Sequence, residues 1–170
     1  MTGTPIDTRE FRHALGCFAT GVTVVTTLDD KGQAIGITVN SFTSVSLDPP
    51  LVLWCADRKT AGREAFHSCK NFVISVLDTS GADIATRFAM KGGYAVEGVD
   101  TIPTRLGPPA LSQTLAVFEC ETHARHDGGD HVILIGKVCG FTYVSDPERK
   151  GAPPLVYYRG RFGTVSDLSG

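Results

Sequence analysis

From Leu115 to Val144 the chain reads as one long hairpin, and that stretch restricts the possible folds more than any other. Ala116, Phe118, Cys120, Thr122 and Ala124 alternate with Glu119, Glu121, His123 and Arg125, the period of two that a half-buried strand requires. Asp127-Gly128-Gly129-Asp130 interrupts the pattern, and its glycines supply the positive φ of a tight antiparallel turn. Residues 132–144 then run back. Other strands are available to cover the apolar face. Residues 22–28 are β-branched almost throughout, Asp29-Asp30-Lys31-Gly32 is a turn, and Ile35, Ile37 and Val39 alternate with Ala34, Gly36 and Thr38. After Pro49-Pro50, residues 51–55 predict a short buried strand; Phe72, Ile74 and Val76 alternate in another, and residues 155–162 form a last one.

Helical period is confined to short inserts. Phe11, Leu15 and Phe18 make an apolar stripe over residues 7–20, opened by an Asp7/Glu10 capping pattern and stopped at Gly21. Residues 60–69 predict a helix with Thr60 as N-cap and Ala65, Phe66 and Cys69 inward. Residues 80–89 predict another, with Ile84, Ala85 and Phe88 inward. Residues 90–110, rich in Gly and Pro and without period, read as a long loop. Six or seven strands with short connections predict a mainly β fold: a closed antiparallel barrel with short peripheral helices, not a wound parallel sheet.

Length and charge narrow the function. At 170 residues the chain is one domain, and a fold of that size buries roughly 70% of its unfolded surface. Sixteen Lys and Arg against 18 Asp and Glu leave a net charge of -2, without the basic excess of a nucleic-acid binder. No apolar run approaches the ~20 residues of a membrane-spanning helix. The first residues lack the basic start and apolar core of a secretory signal, so the expected location is the cytoplasm. Cys17, Cys55, Cys69, Cys120 and Cys139 contain no CxxC pair and are odd in number; they read as small hydrophobes in a reducing compartment.

Several chemistries are missing from the sequence. Gly136-Lys137 is followed by Val138 and has His131 where a P-loop needs its leading glycine; no GxGxxG follows a strand and no GxSxG is present. His123 and His126 fall on opposite faces of a strand, so no metal site is expected. Two polar runs stand out instead. Residues 38–46 (Thr-Val-Asn-Ser-Phe-Thr-Ser-Val-Ser) stay hydroxyl-rich for nine positions, either as a loop satisfying its own backbone or as a wall of donors for a flat heterocycle rich in acceptors. Asp57-Arg58-Lys59-Thr60-Ala61 leaves a strand and opens a helix, either as a solvated turn or as a phosphate seat.

Four blocks carry a family resemblance: Ala14-Leu15-Gly16-Cys17-Phe18-Ala19-Thr20-Gly21 with the Val-Thr run behind it, Thr38 to Val52, Gly129-Asp130-His131-Val132-Ile133, and Leu155-Val156-Tyr157-Tyr158-Arg159-Gly160. In this order, over roughly residues 9–163, the chain resembles the short-chain flavin reductases, the reductase components of two-component flavin-dependent monooxygenases. The resemblance implies the flavin-binding split β-barrel, an antiparallel Greek-key barrel working as a homodimer. It implies NAD(P)H-dependent reduction of FMN or FAD, with NADH or NADPH as co-substrate and reduced flavin released to a separate monooxygenase. A non-catalytic FMN-binding flavoprotein on the same barrel is the alternative.

By position, the resemblance puts Thr38, Asn40, Ser41, Ser44 and Val45 along the flavin ring and ribityl chain, with Cys55 near the ring. Arg58, Lys59 and Thr60 would hold the phosphate, and Phe88-Ala89 would lie close to the flavin. His131 would stand at the nicotinamide site, with Tyr158 and Arg161 in the strand that closes the pocket. No strictly catalytic residue is implied, because hydride transfer belongs to the two cofactors. The loop 91–99, which borders the flavin in that family, has Tyr94 where many members carry Phe.

Overall fold

The computed structural model describes residues 5–59, 64–112, 114–144 and 153–165. A helix α1 (Thr8–Leu15) leads into β1 (Thr20–Gly21), β2 (Thr23–Leu28), β3 (Ala34–Val39), β4 (Thr43–Leu47) and β5 (Pro50–Asp57). After α2 (Glu64–Ser68) come β6 (Asn71–Leu77), a single 3-10 turn (Thr79–Gly81) and α3 (Ala82–Ala89). The chain continues through β7 (Thr101–Ile102), β8 (Ala110–Leu111), β9 (Thr114–Gly128), β10 (His131–Tyr143), β11 (Val156–Tyr158) and β12 (Arg161–Gly163).

Seven strands form one antiparallel sheet in the order β3-β2-β6-β9-β10-β5-β4. Its curvature follows from one short connection. β3 and β4 occupy opposite edges of the sheet, yet only residues 40–42 separate them. Four Cα steps reach at most ~14 Å, whereas a flat seven-strand sheet is about 29 Å wide. The sheet must therefore curl until its edges approach, and β3 and β4 face each other across an unpaired seam. This is the split barrel the sequence resemblance implied.

The barrel interior holds side chains from both halves of that sheet. Ile35, Ile37 and Val39 from β3 share one core with Val52 and Trp54 from β5, Phe72 and Ile74 from β6, and Leu134 from β10. The Trp54 ring meets Phe66 and Phe72 edge-on, each at 5.7 Å between centroids. A second core lies outside β2, where Val22, Val24 and Leu77 pack against Ala85 and Phe88 of α3. Thus β2 is buried on both faces. Gly36 allows the close approach of α3, since a Cβ there would stand 2.9 Å from the Phe88 ring.

Turn chemistry is visible at two hairpins. Gly129 (φ +75°) and Asp130 connect Gly128 to its partner His131, the two-residue turn with glycine first. Arg159 (φ +47°) and Gly160 (φ +79°) connect β11 to β12, with both central residues left-handed.

The structure corrects several local expectations. Residues 155–162 are a turn between two strands, not one strand, because the Arg159-Gly160 pair reverses the chain. The hydroxyl-rich run is partly a strand, β4, and the long loop carries the small ribbon β7–β8. α1 ends at Leu15, and its apolar stripe is not buried: Phe11, Leu15 and Phe18 are 51%, 58% and 77% exposed. Helical period reveals an apolar face but not what covers it. Asp7 does cap the helix, accepting from the Arg9 and Glu10 amides at 2.8 and 3.4 Å. The proposed cap Thr60 lies outside the described residues. All five cysteines are free, but only Cys69 and Cys120 are buried; Cys17 and Cys139 are exposed.

Candidate functional site

The outer face of β5 and β10 is set by alternation. On β5, Val52, Trp54 and Ala56 point into the barrel, leaving Leu53, Cys55 and Asp57 half-buried on the outside. On β10, Val132 and Leu134 point in, leaving His131, Ile133 and Ile135 outside. Register pairs Leu53 with Ile135, Cys55 with Ile133 and Asp57 with His131. Directly opposed residues share a face, so these six make one strip, apolar in the middle and polar at one end.

The seam region borders the strip. The Cys55 amide donates to Ser41 Oγ at 2.9 Å, fixing the chain as it leaves β3. Thr43 pairs with Leu53 and Ser44 with Val52, and a register shift before Ser46 leaves Val45 outside the ladder and exposed. As the sheet's edge strand, β4 turns one row of backbone N–H and C=O groups toward the seam without ladder partners. Burial pushes the Cys55 thiol above its ordinary range, opposed by Ser41.

Cations and carboxylates gather at the polar end. The Arg58 amide donates to Asp130 O (3.0 Å), its Nε to His131 O (3.2 Å) and its Nη2 to Asp127 Oδ1 (3.3 Å). The Lys59 amide donates to Asp57 Oδ1 at 2.8 Å, and its ammonium has no salt bridge among the described residues. His131 Nδ1 lies 2.7 Å from Asp130 Oδ1. That hydrogen bond, followed by the charge of His131, holds the Asp130 carboxyl below the usual carboxylate range.

The sequence-nominated residues separate into groups. Ser41, Ser44, Val45, Cys55, Arg58, Lys59 and His131 lie along the strip and its seam. Asn40, exposed, lines a cavity of about 830 Å³ between α1 and the β11–β12 hairpin, together with Phe18, Tyr157, Arg159 and Gly160. Tyr158 and Arg161 pair with each other on that hairpin, which belongs to a separate sheet with β1. Two side chains turn away. The Thr38 hydroxyl donates to Ala85 O on α3 at 2.7 Å, and the fully buried Phe88 ring belongs to the second core. A sealed ring has no surface to offer a flavin, so Phe88 acts by seating α3, and of the nominated pair Ala89 is the exposed member. Tyr94 packs on the barrel core, its carbonyl accepting from the Gly36 amide at 2.8 Å. Asp127 and Asp130 joined the cluster unannounced; the signal available was their position flanking the Gly-Gly turn before His131.

Comparison with known proteins gives a consistent answer. The family described as "Flavin reductase like domain" matches residues 15–166. FMN reductase (NADH) SmoA of Agrobacterium fabrum is 42% identical over 160 residues, 94% of this chain and 87% of that protein. HsaB of Mycobacterium tuberculosis, the reductase subunit of a flavin-dependent monooxygenase, is 36% identical over 92% of this chain and 82% of its own length. Among solved structures, the NADH:FAD oxidoreductase SgcE6 of Streptomyces globisporus, in complex with NAD and FAD fragments, superposes with a TM-score of 0.85. It is 31% identical, covering 99% of this chain and all of that one.

Proposed function

This chain belongs to the flavin reductase-like family, and from that membership we propose that it catalyses NAD(P)H-dependent reduction of free FMN or FAD. The reduced flavin passes to a separate monooxygenase, a reading supported by HsaB's being the reductase subunit of a flavin-dependent monooxygenase. The observation that carries this reading is the strip on β5 and β10, bordered by a hydroxyl-bearing strand edge and ending in cations.

The residues fit a flavin. The apolar centre at Leu53, Cys55 and Ile133 suits one face of a planar ring, and the amides of the β4 edge suit its row of acceptors. With both ligands bound, hydride passes from nicotinamide to flavin, chemistry that the cofactors supply. The chain's part is positioning and electrostatics. Backbone donors near Ser41, Ser44 and Val45 favour negative charge gathering on the ring's polar edge, and fixed dipoles need no reorganisation when that charge develops. The Lys59 ammonium is the strip's available cation for the phosphate. His131 presents its ring at the strip's polar end to the nicotinamide.

A homodimer completes this arrangement. The exposed Phe11, Leu15 and Phe18 need a cover, and Asn40, Tyr158 and Arg161 stand apart from the strip within one chain. Five free cysteines suit the reducing cytoplasm. The test is steady-state NADH and NADPH oxidation with FMN and with FAD. Turnover that depends on added flavin is expected. Tight flavin binding with no nicotinamide oxidation in any combination sinks the enzyme and leaves a flavin carrier.

A further inference from the structure

Arg58 occupies a position where a phosphate ligand is expected, but its donors converge elsewhere. Backbone N–H, Nε and Nη2 all reach the tip between β9 and β10, on Asp130 O, His131 O and Asp127 Oδ1 respectively. The same Asp127 oxygen accepts the Gly129 amide at 3.0 Å, so one carboxylate joins the guanidinium to the turn. Asp130, whose carbonyl Arg58 holds, in turn holds the His131 ring at Nδ1. The strand ladder from β5 ends at the Asp57–His131 pair, so beyond it the tip is tied to β5 by Arg58.

Resting on the reading of His131 as the nicotinamide-site residue, we propose that Arg58 is a positioning residue for that tip and not a phosphate ligand. A guanidinium fork is planar and rigid, so holding the His131 carbonyl and the Asp127 carboxylate together fixes their spacing in a way a point charge does not. The Arg58–Asp127 pair is exposed, with side chains 44% and 81% accessible, and alone it would contribute little. Its effect comes from combination with the His131 carbonyl, which the same guanidinium holds, beside the Asp130 carbonyl that the main-chain N–H of residue 58 already anchors. Lys59 remains for the phosphate. The two neighbouring cations therefore have separate roles: one orients the nicotinamide side and one binds the flavin side.

The experiment separates those roles. Arg58→Met should raise KM for NADH about three- to tenfold while the dissociation constant for FMN, read by fluorescence quenching without turnover, stays within about twofold. Lys59→Met should show the reverse, and Arg58→Lys should recover only part of the loss. In a His131→Ala background, Arg58→Met should add less than about twofold. Hydrogen exchange over residues 127–133 of the flavin-free protein should quicken in Arg58→Met with the barrel strands unchanged. The proposal is overturned by weaker FMN binding at constant KM for NADH, by no change in either constant, or by a full multiplicative effect on top of His131→Ala. Should the wild type oxidise no nicotinamide at all, the functional reading fails separately, and unchanged exchange at the tip would then refute the clamp on its own.

Discussion

Gly136→Ala is the sharpest test of the barrel packing. Gly136 lies in β10, opposite Val52 of β5 and Thr122 of β9, at a register shift in the central hairpin. A Cβ there would fall far inside contact distance of Phe72 Cζ, 3.2 Å from Phe72 Cε2 and 3.0 Å from Cys120 Cβ. Carbon atoms prefer ~3.5–4.0 Å. The Phe72 ring cannot retreat freely: it is fully buried and backed by Trp54 at 5.7 Å, itself wedged against Phe66. Cys120 Cβ is tied directly to the β9 backbone. Overpacking of this kind costs about 2–3 kcal/mol, which for a chain of this size lowers Tm by roughly 4–12 °C. Thermal unfolding followed by circular dichroism measures it. Phe72→Leu should cost about 1–2 kcal/mol alone, yet in the double variant the penalties should sum to less than their total by at least ~0.5 kcal/mol. A Gly136→Ala protein melting within about 1 °C of wild type, or strictly additive penalties, would refute the packing argument.

Two further outcomes concern titrating groups. Desolvation pushes the Cys120 thiol up to about 12, so at about pH 8 a thiol reagent should label exposed Cys17 and Cys139 quickly and Cys120 only as fast as the fold opens. Between the ordinary thiol value and about 12 the folded chain holds the Cys120 proton that the unfolded chain loses, so this group's stabilising contribution falls as pH rises through that window. The Asp130 carboxyl should titrate below a typical Asp in a carbon-detected NMR experiment, and His131→Ala should move it back upward; no movement would dissociate the pair. Because the folded carboxyl is held below its ordinary range, its share of the contact is present above that range and lost as pH falls through it.

Much of the architecture follows from local physics that the chain displays openly. Period-two alternation in residues 115–126, the Gly-Gly turn and the β-branched run at 22–28 mark the strands, because side chains on a pleated strand sort by face whatever lies around them. The polar runs at 38–46 and 57–61 also stand out in the sequence. What alternation cannot express is which strands meet. Only the antiparallel pairing of β5 with β10, strands far apart along the chain, brings the end of β5 beside the tip of β10. Arg58 and Asp127 are sixty-nine positions apart, and nothing local marks them as partners. The same limit applies to the helices: period places Phe88 inward and marks a stripe on α1, but it does not say whether solvent, this chain's core or another molecule covers such a face. The sequence alone determined the main strands, the central hairpin turn and the polar runs, but not β4, the β7–β8 ribbon or the turn at Arg159-Gly160. The tertiary structure decided which charges meet, Arg58 with Asp127 above all, because that depends on distances between residues far apart along the chain.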